Sequence, residues 1–230
     1  MELKIHDFQI SILRELLFKP GARFRDLKKV DVTNDHFTFH INRLVEEGLV
    51  RKDGNKYFLT DEGKEFASRL DTDALKIEKQ AKILIALHPV RVVDGKLEYL
   101  IHRRSKDPYF GWCGSQSGKI RWGETPEECA RRELMEETGL TGEFSLKMIV
   151  HYHVFNKEEK FLEDKYFWIY RVDNVKGELI EKMEDGENIW MTETDYRKLP
   201  HVFASFEVME RAVLGKELVY EERKEIVDEY

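Results

Sequence analysis

Apolar side chains in the first seventy residues recur at intervals of three or four positions, a pattern that predicts a series of short helices. The first helix contains Ile10, Leu13 and Leu16, and it ends at Pro20. Similar patterns predict two further helices, over residues 24–30 and 34–47. This part of the chain is therefore expected to be mostly helical.

A hairpin and a fourth helix follow. Strand-like runs flank Asp53-Gly54, a pair typical of tight hairpin turns, and Thr60 is positioned to cap the next helix. The order helix, helix, helix, hairpin, helix is that of a winged helix, which is mostly α with a small β wing. Residues 37–67 also resemble the ArsR/MarR-like winged-helix regulators, through His40-Ile41, Leu44, Gly48-Leu49-Val50 and the segment 57–63.

Beyond residue 80, strand-like and helical patterns are mixed, which indicates an α/β or α+β domain. Strands are predicted over residues 81–87, 96–104, 146–155 and 165–172, and helices over 125–138 and 203–214. We therefore predict a winged-helix domain over residues 1–72, a charged helical linker over 73–80, and a second domain over 81–230 that ends in a charged helical tail.

The composition excludes several classes of protein. Hydrophobic residues make up 41% of the chain and charged residues 36%, which excludes a disordered or collagen-like chain. No apolar run approaches the roughly 18–20 residues of a membrane-spanning helix. Cys113 and Cys129 form no CxxC pair, which argues against a disulfide scaffold and a cysteine-based zinc site. We expect a protein of the reducing cytoplasm with no membrane partner.

The net charge of −7 is distributed unevenly along the chain. The first 70 residues carry 13 basic and 12 acidic side chains, so the excess of acid lies in the remainder. An acidic domain is a poor general binder of nucleic acid. It is compatible with a site that collects divalent cations.

A helix with clear start and stop signals is predicted within residues 118–140. Thr125 and Glu128 form a capping box, and Pro126 takes the first helical position. Gly139 is well placed to end the helix. The helix is therefore expected to have three to four turns.

One face of this helix carries three carboxylates. Glu133, Glu136 and Glu137 fall within an arc of roughly 100° around the helix axis. Like charges at this spacing repel one another, and a bound cation relieves the repulsion. Oxygen ligands favour Mg²⁺ or Mn²⁺ over zinc. Arg132 is positioned to hold one of the carboxylates through a bidentate pair.

The same stretch resembles the Nudix box, whose spacing is Gly, five residues, Glu, seven residues, Arg-Glu, an aliphatic residue, any residue, Glu-Glu, any residue, Gly and an aliphatic residue. Every position matches, with Gly118, Glu124, Arg132, Glu133, Leu134, Glu136, Glu137, Gly139 and Leu140. The resemblance extends over about residues 80–215 and implies an α/β Nudix fold, a mixed sheet sandwiched by helices. Many family members enter the box through Pro-Gly-Gly-Lys; here Gly118-Lys119 remain but the proline is absent.

The resemblance implies a hydrolase that cleaves a nucleoside diphosphate linked to another group, with Mg²⁺ or Mn²⁺ as cofactor. Water attacks a phosphorus of the P–O–P bridge, and a glutamate or a later acid takes its proton. The implied metal ligands are Glu133, Glu136, Glu137 and the carbonyl of Gly118. The implied catalytic residues are Glu133, Glu137, Arg132 and the supporting acid Glu124. Glu187 resembles the downstream Nudix acid that approaches the metals, with Glu184 and Asp185 as rivals.

Candidates for substrate binding flank the box. Arg103, Arg104 and Lys119 are placed to reach phosphates, and Tyr109 and Trp112 to stack on a base. The alternative is that the aromatic side chains fill the core beneath the loop. Subfamilies for ADP-ribose carry a proline some 15–16 residues beyond the box, and this chain has none there.

Two histidines form a separate candidate site. His151 and His153 alternate along a predicted strand, so both point to one face. Such a pair is more often structural or solvent-facing than a zinc site, and the sequence pattern offers no third ligand. We therefore do not predict zinc here.

The winged helix has candidate DNA-contacting residues. They are His36, Thr38, Asn42 and Arg43 on the third helix and Arg51, Lys52 and Lys56 in the wing. Asn and Arg read base edges well, and basic side chains contact phosphates. Acidic residues on the same helix weigh against double-stranded DNA as a partner. The alternative is a packing or dimerisation module, as in a homodimer.

Three interpretations of the whole chain remain. It is a Nudix hydrolase with an accessory winged helix, or a transcriptional regulator whose Nudix domain senses a nucleotide-like ligand, or a purely structural protein. The complete set of box acids favours the first, because a pure sensor has no need of metal-binding carboxylates. The first two are compatible, since a hydrolysable ligand shifts a DNA-binding equilibrium if it binds the two states unequally.

Overall fold

The structure is a computed structural model that describes residues 6–28, 33–71, 76–77, 79–107, 109–204 and 206–227. The chain divides into two compact units, Met1–Lys79 and Gln80–Tyr230. Within the described residues, no helix has the length and apolar character needed to cross a membrane.

The N-terminal unit combines helices with a small sheet. Its helices are α1 (Asp7–Phe18), α2 (Phe24–Leu27), α3 (Asn34–Glu46) and α4 (Asp61–Ala67). Its sheet has the order β1-β3-β2, from β1 (Ala22–Arg23), β2 (Val50–Asp53) and β3 (Lys56–Leu59). The predicted helices and hairpin are confirmed. The second helix ends at Leu27, and the predicted part from residue 29 lies outside the described residues.

The apolar faces of α1 and α3 form the core of this unit. Leu13 and Leu16 of α1 and Phe37, Ile41 and Leu44 of α3 are almost completely buried. Their spacing of three and four residues is the spacing that predicted the helices. The remaining face of α3 is consequently directed away from the core.

The start of α4 packs closely on the chain that leads into β2. A Cβ at Gly63 would overlap the backbone carbonyl of Leu49, so glycine is required for this approach. Thr60 caps the helix, since its Oγ1 accepts a hydrogen bond from Gly63 N at 2.9 Å. The same hydroxyl donates to Gly48 O at 2.6 Å, which ties the end of α3 to the start of α4.

The region after α4 differs from the prediction. Two short strands, β4 (Leu70–Asp71) and β5 (Lys76–Ile77), pair in antiparallel fashion. The helical linker predicted over residues 73–80 is therefore wrong at residues 76–77, which are extended, and residues 72–75 and 78 lie outside the described residues. The sequence Asp-Thr-Asp at 71–73 is a poor helix former and favours turns.

The C-terminal unit is a mixed sheet with helices. Its strands are β6 (Lys82–Val93), β7 (Lys96–Arg104), β8 (Cys113–Gly114), β9 (Gln116–Lys119), β10 (Leu140–Asn156), β11 (Phe161–Gly177), β12 (Lys182–Met183), β13 (Gly186–Thr192) and β14 (Val219–Val227). Its helices are α5 (Pro126–Thr138), α6 (Glu193–Tyr196) and α7 (Phe206–Leu214).

The strand order is β12-β13-β7-β6-β11-β10-β14, with β8 paired to β7 and β9 paired to β6. The pairs β6–β11 and β10–β14 are parallel and the others antiparallel. Residues 84–87 of β6 pair with β9, whereas residues 90–93 pair with β7. Strand β6 therefore joins the two parts of the sheet. Strand β9, which contains Gly118 of the box, lies beside residues 84–87 of β6.

Helices cover both faces of this sheet. Ile85 and Leu87 lie in one apolar cluster with Leu134 of α5, while Ala86 lies in another with Ala212 of α7. Successive residues of a strand point to opposite faces, so this alternation follows from the pleat. The prediction of a mixed sheet between helices is confirmed.

The segment after α7 is a strand, so the predicted C-terminal helical tail is wrong. Strand β14 pairs in parallel with β10, from Met148 opposite Val219 to Asn156 opposite Val227. Its side chains alternate in exposure, and it lacks the apolar stripe of a packed helix. Pairing with the open edge of β10 satisfies the backbone groups of β14 that face β10, in spite of its charged sequence.

Acid is expected to destabilise the C-terminal unit through His88. Burial lowers the pKa of His88 to about 4, and its ring lies 3.3–3.4 Å from Ser115 Oγ. An unfolded histidine has a pKa of about 6.5, so unfolding takes up a proton below that pH. We expect stability to be lost as the pH falls from about 6.5 to 4, by about 3 kcal/mol at most.

Urea unfolding followed by tryptophan fluorescence measures this effect, since all four tryptophans lie in the C-terminal unit. His88→Gln removes the titrating ring and should flatten the pH dependence over this range. His201→Gln changes an exposed histidine of the same unit and should leave the dependence unchanged. An unaltered pH dependence in His88→Gln would contradict the assignment.

Candidate functional site

Helix α5 has a side-chain capping box at its start and a glycine stop at its end. Thr125 Oγ1 accepts a hydrogen bond from Glu128 N at 3.3 Å, and Glu128 Oε2 accepts one from Thr125 N at 2.8 Å. Gly139 ends the helix in the left-handed conformation, with φ of 71°. The capping box and the stop predicted from the sequence are confirmed.

Arg132 lies at the centre of the acidic cluster on α5. Its Nε and Nη2 donate to the two carboxylate oxygens of Glu124 at 2.7 and 2.8 Å, a bidentate pair. Its Nη1 donates to Glu133 at 2.5 Å and to Glu136 at 3.1 Å. One guanidinium thus gathers three glutamates. Together with the N–H of Arg121, this guanidinium lowers the pKa of Glu124 to about 2.

The carboxyl group of Glu133 lies directly against Gly118 on β9. A Cβ at position 118 would overlap the Glu133 carboxyl carbon. The glycine of the box is therefore needed because the strand backbone and the helix carboxylate approach within contact distance. This contact brings the backbone of β9 and the acidic face of α5 to one place.

Glu137 is crowded by other negative charges. Its pKa is raised, first by burial and then by the charges of Asp185 and Glu133. Lys106 partly offsets this, and its Nζ donates to Asp185 Oδ2 at 2.7 Å. Burial raises the pKa of Asp185, but the hydrogen bond and charge of Lys106 outweigh it and the net shift is downward.

The structure separates the three downstream acids named from the sequence. Glu187 on β13 pairs with Arg103 on β7, with 2.6 Å between Nη1 and Oε1. Glu184 is exposed. Asp185 is the acid of the three whose charge acts on Glu137.

Two residues in this region were not singled out from the sequence. One is Lys106, which lies outside the box and far along the chain from its partner Asp185, so no local pattern indicates that they pair. Asn188 on β13 is the other: it is buried, and its Nδ2 donates to the carbonyls of Glu137 at 2.7 Å and Ile180 at 2.9 Å. An asparagine directly before the apolar strand sequence Ile-Trp-Met was the available signal. Asn188 fixes the backbone of the last box glutamate.

The donor set of this cluster fits a hard divalent cation. Its acids are Glu124, Glu133, Glu136, Glu137 and Asp185, and its cations are Arg121, Arg132 and Lys106. The carboxylates outnumber the cations, and all the donors are oxygens. Mg²⁺ and Mn²⁺ prefer such ligands.

Aromatic residues gather on the loop before β8. Tyr109 and Trp112 are half-buried, and their rings lie 5.2 and 5.3 Å from that of Phe203. They are thus neither wholly in the core nor fully exposed. Arg104 is tied to this loop through its backbone, whose N–H donates to Trp112 O at 3.0 Å. The Lys119 side chain is exposed on β9.

In the N-terminal unit, the candidate DNA contacts are on the surface. Asn42 and Arg43 are exposed, Thr38 is half-buried, and Arg43 pairs with Glu47 at 2.7 Å. His36 is exposed, although its Nε2 lies 3.0 Å from that of His40. The exposed basic residues of the β2–β3 hairpin are Arg51, Lys52 and Lys56. Arg51 lies over the ring of Phe58 and Lys52 over that of Tyr57.

Comparison with known proteins identifies related sequences. The family model for the NUDIX domain matches residues 86–212. An ADP-ribose pyrophosphatase of Methanocaldococcus jannaschii is 35% identical over 79 residues, 33% of this chain and 47% of the relative. An 8-oxo-dGTP diphosphatase of Escherichia coli is 34% identical over 98 residues, 41% of this chain and 70% of the relative. The chain spans about half the length of the first of these proteins.

A solved structure has a similar fold. It is the NUDIX domain of Shewanella oneidensis NrtR, complexed with ADP ribose. It matches with a TM-score of 0.52 and 19% identity, over 67% of this chain and 97% of that one. At this identity the likeness demonstrates the α/β fold with its mixed sheet.

Proposed function

Because the chain belongs to the NUDIX family, we propose that it hydrolyses the P–O–P bridge of a nucleoside diphosphate linked to another group. The observation that carries this proposal is the cluster on α5, where Arg132 holds Glu124, Glu133 and Glu136 beside Glu137. A helix that only packed on the sheet would have no use for three neighbouring acids on one face and a fourth just before its start, since they repel one another.

Mg²⁺ or Mn²⁺ would be held by Glu133, Glu136 and Glu137 together with the carbonyl of Gly118. Such an ion neutralises the diphosphate and lowers the pKa of the attacking water. Arg132 and Glu124 would keep the carboxylates in position through their bidentate pair. Asn188 would do the same for the backbone at Glu137. Glu133 and Glu137 are the proposed acceptors of the water proton, with Asp185 as the nearby alternative.

The proposed substrate is a nucleotide that carries a diphosphate bridge. Both curated relatives are named for nucleotide substrates of this kind, ADP-ribose and 8-oxo-dGTP. Tyr109 and Trp112 would stack their half-exposed rings on a base, and Arg104 and Lys119 would contact phosphates. Arg103 is engaged by Glu187, so a role in phosphate binding would require it to leave that pair. Because the proline typical of ADP-ribose subfamilies is missing, other classes of nucleotide substrate must also be tested.

Turnover of a substrate panel tests the proposal. The panel contains ADP-ribose, nucleotide sugars, dinucleoside polyphosphates, NADH and oxidised nucleoside triphosphates, with Mg²⁺ and then with Mn²⁺, and the products are identified by mass spectrometry. Cleavage between two phosphorus atoms of one class is the expected result. If no compound is cleaved with either ion, the hydrolase proposal fails.

For the N-terminal unit we propose a winged helix that binds double-stranded DNA. The supporting observation is that Asn42 and Arg43 are exposed on α3, while basic residues are exposed on the β2–β3 hairpin. Asn42 and Arg43 would read base edges with His36 and Thr38 beside them, and Arg51, Lys52 and Lys56 would contact phosphates. Arg43 would have to exchange its pairing with Glu47 for the DNA.

We expect the affinity for duplex DNA to fall steeply as salt concentration rises. Each phosphate contact that is lost should reduce the slope of log affinity against log salt by about 1, so Lys52→Ala should show this change. Lys64→Ala changes a lysine on α4 that pairs with Asp61, and it should match the wild type. Fluorescence anisotropy with mixed-sequence duplexes measures both. A flat salt response would contradict DNA binding.

The alternative function is a transcriptional regulator whose Nudix unit senses a nucleotide-like ligand. The exposed faces of α3 and the hairpin favour it, but the full set of box acids is then unused. Repeating the anisotropy titration with each panel compound distinguishes the two. A compound that is bound but not cleaved, and that changes DNA affinity, would favour the regulator.

A further inference from the structure

Two histidines and an aspartate meet on the β10–β11 hairpin, and the proposed hydrolase site uses none of them. His151 Nε2 lies 2.7 Å from Asp164 Oδ1, and His153 Nε2 lies 3.7 Å from the same oxygen. One ligand atom from each residue can be chosen so that all three are within 4.8 Å of one another. The third ligand that the sequence pattern did not offer is supplied by the neighbouring strand.

The register of the hairpin produces this arrangement. His153 on β10 is directly opposite Asp164 on β11, and His151 is opposite Tyr166. His151 and His153 are two positions apart, so both project from the same face as Asp164. A regular antiparallel pair is a stiff support, and its three side chains start from neighbouring Cα positions.

Aromatic contacts orient both imidazole rings. The ring of His151 stacks on that of Tyr166, with centroids 3.9 Å apart and an angle of 11° between planes. The ring of His153 meets that of Phe161 edge to face at 5.4 Å. Packing that fixes ligand rings reduces the freedom lost when an ion binds.

The cluster is also open to an ion from solvent. The His151 side chain is 12% exposed, whereas His153 is 46% and Asp164 35% exposed. In the register of β10 with β14, Glu222 is opposite His151 and Lys224 opposite His153. The Lys224 ammonium lies 3.5 Å from Glu159 and over the ring of Phe155. The charged residues that β14 places opposite the two histidines are therefore of both signs.

We propose that His151, His153 and Asp164 bind a divalent transition-metal ion such as Zn²⁺, Co²⁺ or Ni²⁺. Imidazole nitrogens select these ions, whereas the all-oxygen cluster on α5 selects Mg²⁺ or Mn²⁺. Ligand atoms about 2.0–2.1 Å from a tetrahedral ion lie about 3.3 Å from one another. The separations of 2.7 and 3.7 Å bracket that value. Three protein ligands leave one position for water or a small anion.

The competing explanation is a metal-free ion pair, in which one imidazole donates to Asp164 and the other is a bystander. The two explanations differ in the role of His153, whose nitrogen is beyond hydrogen-bond distance of Asp164. A bound metal ion would be coordinated by both histidines, whereas the metal-free pair with Asp164 requires His151 alone.

Titration of the full-length protein with Co²⁺ tests the proposal. Excess Mg²⁺ is present throughout, so that sites made of carboxylates alone are filled. We expect visible d–d absorption typical of nitrogen and oxygen ligands, saturating at one ion per chain and displaced by Zn²⁺. Zn²⁺ at about a hundred times its Kd should also raise the Tm of the C-terminal unit by about 5 °C.

Variants assign the signal to residues. His153→Ala and Asp164→Asn should each weaken Co²⁺ binding by at least about tenfold and remove the Zn²⁺-dependent rise in Tm. His201→Ala removes an exposed histidine elsewhere in the unit and should retain both. Circular dichroism without metal shows that each variant is folded; if His153→Ala does not fold, the Asp164→Asn result decides.

Three outcomes would overturn the proposal. One is the absence of Co²⁺ binding in the wild type. Another is binding that survives in both His153→Ala and Asp164→Asn. The third is a signal that disappears with His36→Ala instead, which would assign the ion to the His36–His40 pair. None of these outcomes depends on hydrolysis, so the test is separate from that of the proposed function.

Discussion

Glu136→Gln and Glu137→Gln should each reduce turnover by about a hundredfold or more while the protein stays folded. Glutamine keeps the size and hydrogen-bonding capacity of glutamate but removes the charge that a divalent cation requires. The two residues lie in the crowded acidic cluster of α5. Neutralising Glu137 relieves repulsion, and neutralising the half-exposed Glu136 gives up only its surface ion pairs with Arg132 and Arg121, so the Tm should change little in either variant. Turnover and Tm therefore separate a metal-binding role from a structural one.

Glu127→Gln is the matched control. Glu127 is on the same helix, but it is half-exposed and pairs with Arg131. Its neutralisation should leave turnover at the wild-type level. Mn²⁺ binding measured by electron paramagnetic resonance gives a second readout that needs no substrate. If both Glu136→Gln and Glu137→Gln bound Mn²⁺ and turned over substrate as the wild type does, the assignment of the metal ligands would be wrong.

Arg132→Ala should cause the largest loss of stability that we expect from a single change in the C-terminal unit, because it removes the common partner of Glu124, Glu133 and Glu136. The side chains of Arg132, Glu124 and Glu133 are only 12–16% exposed. Removing the guanidinium leaves two largely buried carboxylates without a counterion, next to Glu136 and Glu137. Urea unfolding followed by tryptophan fluorescence measures the change in free energy for this unit alone.

The neighbouring Arg131 provides an internal comparison for this prediction. Its side chain is 56% exposed, pairs with an equally exposed Glu127 and lies over the ring of Phe144. Arg131→Ala should therefore cost no more than about 1 kcal/mol. Equal losses for Arg131→Ala and Arg132→Ala would show that Arg132 does not act as the centre of the cluster. Added Mg²⁺ should partly restore Arg132→Ala, because the ion replaces the missing positive charge.

Local sequence signals were sufficient for the helices with clear start and stop signals and for the tight turns. The capping box at Thr125 and the stop at Gly139 act within one helical turn, so their outcome does not depend on distant residues. The hairpin turn at Asp53-Gly54 is of the same kind, since Gly54 has a positive φ. The three acids on α5 could be placed on one face because helical geometry alone determines that arrangement.

Features that depend on strand pairing could not be predicted in this way. Strand β14 has the composition of a solvated helix, and it is extended because β10 has an open edge to receive it. The pairing of Lys106 with Asp185 and the contact of Asn188 with Glu137 each join residues some 50 to 80 positions apart. Asp164 also depends on strand pairing, because it lies beside His153 only through the register of the β10–β11 hairpin.

Strand β14 also bears on how this protein avoids aggregation. It stands at one end of the strand order, and five consecutive charged residues occupy its middle, from Glu221 to Lys224 and on to Glu225. An unpaired strand edge is a template for another chain, and a dense row of charges makes that pairing costly because they would lose their hydration. The charged residues that led to the wrong prediction of a helix therefore protect the exposed edge of a long sheet from pairing with another chain.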